Sequence, residues 1–401
     1  MAPRAGDGNL ATASSPEETR RTGQTSPWRV LAATAAAGLV IAVAFTRIPS
    51  GGTTGEQPSS SPAPRPLFVQ GHGSLIYTTV VGPGHTRAVT RFNLASGTTT
   101  LGPRVPDPVD LVDASRVGSG WLGLTAGPEG KTVAYLLHGT SPSFEPARIG
   151  TGDLVAWGPG STSVAFATTG AERHGCRDLR IDVANLLTNV TEPVLEEPRV
   201  CADVLSLGRS GSATYFTEAR PSRLGVYFTG VVGVPHLLLD GYAMLSVSPA
   251  SDFLVVPEGG APAEGSPSGT SAQSGGAVLF GRGAVLFWRG HGGPIPIKTA
   301  DFVLVVDRVL AWSPDGAQVA VEGRMGFREG VFVIDAGPGL EPRAPTFVVP
   351  GGDGLDATFD DSGTLYIVIN GHLFSYADGV LADLLLPPGS PAANGPIVWT
   401  P

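Results

Sequence analysis

Few residues in this chain stand at spacings that could do chemistry. Asp353, Asp356, Asp360 and Asp361 fall within Gly351–Gly363. Hard cations such as calcium take several oxygen ligands from a bent loop, which makes this group the one metal-site candidate. Its spacing is not that of an EF-hand loop, and a solvated turn is the competing reading. Cys176 and Cys201 are the only cysteines. Two thiols cannot complete a zinc site, and their spacing matches no zinc pattern. They either form a disulfide, closing a loop of about 25 residues, or remain two separate buried thiols. The disulfide reading depends on this part of the chain lying outside the cytoplasm.

Other motifs dissolve on inspection. Thr125–Thr132 ends in Gly-Lys-Thr like a phosphate-binding loop, but Thr125 stands where the first glycine is required, and a β-turn explains the stretch. There is no Gly-x-Ser-x-Gly elbow and no His-Glu-x-x-His. His72, His85, His138, His174, His236, His291 and His372 are scattered. Asn189-Val-Thr191 fits a glycosylation sequon, accidental in a composition of bacterial type. The expectation is no catalytic residue, no cofactor and no metal beyond the low-ranked aspartate group.

The elements that must position these residues are strands and tight turns. Ala311–Gly323 reads Ala-Trp-Ser-Pro-Asp-Gly-Ala-Gln-Val-Ala-Val-Glu-Gly. Pro314 presets φ for the first inner position of a β-turn, and Asp315 and Gly316 accept turn geometry cheaply. Val319 and Val321 then alternate as in a half-buried strand. Weaker copies of the unit recur at Gly71–Ser74, Gly127–Gly130, Ala156–Gly160, Leu207–Gly211, Val247–Asp252 and Phe359–Gly363, each before an apolar run. The mean spacing of about 48 residues is that of four-stranded propeller blades. Third and fourth strands follow most turns. Pro396–Pro401 is the first half of one more unit and stops at the turn, while the unit at Gly71 has only the second half. Joining them closes a ring and removes two sheet edges. Glu258–Gly276, rich in Gly, Ser, Ala and Pro, reads as a loop inserted in the fifth unit.

Composition agrees. Of 401 residues, 42% are hydrophobic and 15% charged, enough for a large core, and 56 Gly with 36 Pro punctuate the apolar runs. The formal charge of −9 excludes a nucleic-acid-binding surface of the usual basic kind. Residues 1–27 are polar and read as a disordered tail. Val30–Thr46 is an uncharged run with Arg20, Arg21 and Arg29 before it and Arg47 after it. Residues 28–47 are therefore expected to form a single transmembrane helix, with the tail cytoplasmic and the rest outside. The alternative is a signal peptide cleaved near Ala44. Residues 48–66 form a Gly/Ser/Pro linker. Residues 67–401 are the folded part, closed by the strand at 396–401.

Ala311–Gly323, with its echoes at Ala156–Ala167, Val247–Val256 and Phe359–Val368, resembles the repeat of TolB-type β-propellers, a WD40-like family of repeats. The resemblance covers residues 67–401 and implies an all-β, seven-bladed β-propeller of four-stranded antiparallel blades. It implies scaffolds or protein-binding modules of the cell envelope. The functional expectation is a non-catalytic domain binding a protein or cell-envelope ligand. The alternatives are a lyase or hydrolase with its site in the channel, which needs acid and base residues converging from several blades, and the sensor domain of a membrane signalling protein.

Overall fold

The computed structural model describes residues 71–401, apart from 82–85, 108, 115–119, 141–142, 159–161, 173, 175, 202, 221–222, 230–233, 258–285, 290–291 and 337–343. The expected tail, transmembrane run and linker lie outside the described residues, as does Glu258–Gly276. Among the described residues no helix is long and apolar enough to cross a membrane.

Strands dominate. In chain order they are β1 (Ser74–Val81), β2 (Thr86–Asn93), β3 (Thr98–Arg104), β4 (Asp110–Ala114), β5 (Trp121–Ala126), β6 (Thr132–Thr140), β7 (Ser143–Gly152), β8 (Leu154–Trp157), β9 (Ser163–Thr169), β10 (Arg177–Asn185), β11 (Val190–Val200), β12 (Asp203–Ser210), β13 (Ala213–Arg220) and β14 (Arg223–Thr229). The second half comprises β15 (His236–Asp240), β16 (Tyr242–Val247), β17 (Phe253–Pro257), β18 (Leu286–Trp288), β19 (Ile295–Pro296), β20 (Val305–Trp312), β21 (Gln318–Met325), β22 (Arg328–Asp335), β23 (Thr346–Pro350), β24 (Asp356–Phe359), β25 (Leu365–Ile369), β26 (His372–Ala377), β27 (Val380–Asp383) and β28 (Asn394–Thr400).

Five sheets have four consecutive strands each, β8–β11, β12–β15, β16–β19, β20–β23 and β24–β27. The remaining eight strands form one sheet in the order β28-β1-β2-β3-β7-β6-β5-β4. Its halves meet at a single parallel bridge, Arg104 to Ser143, and each half is internally antiparallel. The first strands pack against one another, β28 on β4 and on β24, β20 on β24, and β12 on β8 and on β16. This is an all-β propeller of four-stranded antiparallel sheets.

Burial follows position in the sheet. All five residues of β25 are buried, and so are Val319, Ala320 and Val321 of β21, because second strands are covered by neighbouring sheets on both faces. The fourth strand β15 alternates between exposed and half-buried residues. The core lies between sheets. Trp312, Val319, Val321 and Phe332 pack on Leu254 and Phe287 of the preceding sheet and on Leu304 of the crossover that follows it. At the closure, Leu75, Tyr77 and Phe92 pack on Tyr366, Val368, Ile397 and Trp399.

The ends of the chain meet as the half-units suggest. β28 pairs antiparallel with β1, Thr400 opposite Ser74 and Trp399 opposite Leu75. One repeat is corrected. Gly127–Gly130 was expected between the first two strands of its unit; it connects β5 to β6, the second and third. The first strand is β4, and its link to β5 runs through 115–119. Turn chemistry is the same in both kinds of hairpin, so the glycines and proline could not tell them apart.

Candidate recognition face

The antiparallel order sorts connections onto two faces. First-to-second and third-to-fourth turns lie on one, here called the turn face. Second-to-third hairpins and the crossovers between sheets lie on the other, the crossover face.

On the turn face the side chains are spent on structure. The Ser313 hydroxyl accepts from Gln318 N at 2.8 Å and donates to Asp315 Oδ1 at 2.6 Å. Asp315 Oδ1 also accepts from Ala317 N at 2.9 Å, and Gly316 takes φ +73°. Burial alone would raise the Asp315 carboxyl, but these hydrogen bonds outweigh it and hold it below its ordinary value. Asp360 stands where Ser313 does. Its Oδ1 accepts from Ser362 N and Thr364 N at 2.9 Å, and its Oδ2 accepts from the Tyr366 hydroxyl at 3.2 Å. Ser248 repeats the pattern, accepting from Ala250 N and Asp252 N. These turns also tie sheet to sheet. Trp312 Nε1 donates to Ser246 Oγ at 2.8 Å, the Ser210 hydroxyl to Pro249 O at 2.9 Å, and Arg209 Nε to Ser163 Oγ at 2.9 Å. Trp399 Nε1 donates to His72 O at 3.1 Å, and His72 Nε2 lies 2.8 Å from Asp361 Oδ1.

The aspartate group is therefore not gathered on one ligand. Asp360 and Asp361 belong to the turn face. Asp353 lies in a crossover, where its N–H donates to Asn370 Oδ1 at 2.8 Å. Asp356 is buried at the start of β24, and its Oδ2 accepts from Ile397 N at 2.9 Å. Among the described residues no cluster of three or more His, Cys, Asp or Glu side chains is placed to hold a metal. Thr125–Thr132 is a hairpin, with Gly127 N donating to Lys131 O at 2.7 Å, and no helix follows it to receive a phosphate.

The crossover face carries a second set of charged groups and an exposed apolar pair. Burial pushes the Asp356 carboxyl up to about 6, against the pull of Arg308. Arg308 itself reaches Glu322 Oε2 at 3.1 Å and Leu355 O at 2.8 Å, bridging two sheets. Further round, Glu218 is buried and gripped by both arms of Arg220. Desolvation, reinforced by Glu218 and opposed by Arg220, raises the nearby Glu197 carboxyl. Cys176 and Cys201 form a disulfide across the ends of β10 and β11, next to the paired Arg177 and Val200.

The apolar feature lies at the β21–β22 tip. Phe327 is fully exposed, with Phe302 and Val303 of the adjoining crossover about half-exposed. The two rings stand edge to face with centroids 6.5 Å apart. Gly326, at φ +63°, lets the tip lie against Phe302; a Cβ there would stand 3.3 Å from that ring. Sequence reasoning passed over this pair. Its signal was an aromatic residue directly after a turn glycine, where hairpin tips are ordinarily polar.

No protein-family model matches this chain, and no curated protein matches it. Among solved structures it is similar to the β-propeller domain of the Trilobed protease from Pyrococcus furiosus, at 11% identity over 80% of this chain and 97% of that one, with a TM-score of 0.48. It is similar to an acylaminoacyl peptidase from Pyrococcus horikoshii, at 10% identity over 80% of this chain and 53% of that one, TM-score 0.46; this chain thus spans about half the peptidase's length. TolB from Acinetobacter baumannii is similar at 13% identity over 81% and 82%, TM-score 0.40. The propeller assignment rests on the strand pairing itself.

Proposed function

We propose that this chain is a non-catalytic recognition scaffold, a seven-bladed propeller held outside the cell membrane by the helix expected over 28–47. Its crossover face binds a protein or cell-envelope ligand. The observation that carries the reading is the exposed aromatic pair Phe302 and Phe327 on the crossover face. Loops carried by rigid sheets are where recognition residues sit, and exposed aromatic anchors are frequent interaction hot spots. Asp356, the most displaced carboxyl, is bonded to a backbone N–H and gives no comparable opening to a substrate.

The test is capture from a cell-envelope extract by immobilised protein, wild type against Phe302→Ser/Phe327→Ser. A ligand retained by the wild type and lost by the variant is expected; equal retention, or none by either, sinks the reading. Protease added to intact cells addresses the topology, and survival of the 48–401 region would place it inside.

A further inference from the structure

One buried charge on the turn face lacks a counter-charge. Arg209 stands at the end of β12, facing the preceding sheet, with 7% of its surface exposed. Five other first strands fill this place with Trp157, Val247, Trp312, Phe359 and Trp399, all buried and apolar. At β12 alone among these the apolar wedge is exchanged for a guanidinium, and such a break in a local rule marks a place where packing was not the requirement. Burying a cation is unfavourable unless an opposite charge meets it. The bonds Arg209 makes are to neutral hydroxyls, Nε to Ser163 Oγ at 2.9 Å and Nη1 to Thr214 Oγ1 at 3.0 Å. Among the described residues no carboxylate pairs with it, and desolvation, unopposed, pulls the guanidinium below its ordinary value.

The adjoining turn sharpens the contrast. The first-to-second turns of three other sheets carry Asp252, Asp315 and Asp360. Residues 158–162, which lead into Ser163, hold neither Asp nor Glu. The acid is thus missing from the turn nearest the cation, where an internal ion pair would need it. A guanidinium has five N–H donors, and with two committed to Ser163 and Thr214 three remain. Nη2 has no described partner and is not sealed from solvent, so the uncommitted edge opens outward. An oxyanion presents acceptors in the geometry of that edge, and in a largely desolvated setting the attraction exceeds that at an exposed arginine.

We propose that Arg209 is the base of an oxyanion site between the sheets β8–β11 and β12–β15, taking a carboxylate or a phosphate group on its open edge while Ser163 and Thr214 hold the guanidinium in place. The site lies on the face opposite Phe302 and Phe327, so it stands or falls separately from the recognition reading.

The test titrates the full chain in detergent with inorganic phosphate and, separately, with acetate, by calorimetry at an ionic strength held constant with chloride. One saturable site is expected for at least one of the two. Phosphate alone assigns a phosphate group, acetate alone a carboxylate, and both together the shared oxyanion edge. Arg209→Trp, which restores the residue of the other sheets, and Arg209→Lys, which keeps the charge without the fork, should each weaken binding at least ~10-fold. Should the tryptophan variant fail to fold, the lysine variant supplies the comparison. Phosphate also stabilises folded proteins by exclusion from their surface, so a gain in melting temperature shared equally by wild type and variant counts against the site. A wild type that saturates with neither anion overturns the proposal, as does a folded variant that binds as tightly as the wild type.

Discussion

Asp356 shows how one residue can be misread by its neighbours in sequence. It stands three positions from Asp353 and four from Asp360, but the strand that begins at Asp356 carries it into the interior, away from both turns. There its carboxylate holds Ile397 N and so helps seat β28. Burial raises its pKa from 3.8 to about 6, so the folded state takes up a proton more readily than the unfolded chain. Its contribution to stability is therefore fully present below the unfolded value and is lost as pH rises through the folded one. Asp356→Asn should remove that dependence. Chemical denaturation from pH 4 to pH 8 should show the wild type losing stability relative to the variant as pH passes through about 6, by up to roughly 3 kcal/mol. A wild-type-minus-variant difference that stays flat with pH would rule out the buried ionisation.

At the scale of elements, the legible part was what repeats locally. Trp312 to Gly316 carries its own turn chemistry, and Ser313 and Asp315 perform it within the turn. The strand runs after the turns were readable because second strands are buried on both sides and stay apolar throughout, as in β25. What was not legible depended on non-local position. Gly127–Gly130 has the residues of the repeat turn but the place of a different hairpin, and Leu111 and Val112 are too short an apolar run to announce β4 as a first strand. The Arg308 bridge joins groups that only the packing of two sheets brings together. The disulfide, by contrast, left one question, pairing or separate burial, and the antiparallel register of β10 and β11 answers it by setting the two cysteines at adjoining strand ends. Replacing both by serine should cost about 3 kcal/mol, less whatever order the reduced loop keeps. Urea unfolding measures it, and a reductant should then shift the wild type toward the variant and leave the variant unmoved. No shift in either would mean the hairpin holds without the bond.

For the whole molecule, the decisive joint is the turn assembled from both ends of the ring. Gly73 has φ +84°, and a Cβ there would lie 2.3 Å from Thr400 O. Gly211, in the turn before β13, has φ +58° with nothing within 4 Å of its Cβ position. Alanine at either position bears the backbone strain of about 1–2 kcal/mol; only at Gly73 does it also collide with the closing strand. Gly73→Ala should therefore lower the melting temperature clearly more than Gly211→Ala, and equal losses would show that the junction does not limit stability. The same junction orders events in time. β28 is synthesised after every other strand of the ring, while its partner β1 is made first. Throughout translation β1 must wait with one edge bare, open to whatever other strand comes near. The chain's most vulnerable interval thus runs from the emergence of its first strand to the arrival of its last, and any factor that guards it in the cell has β1 to guard.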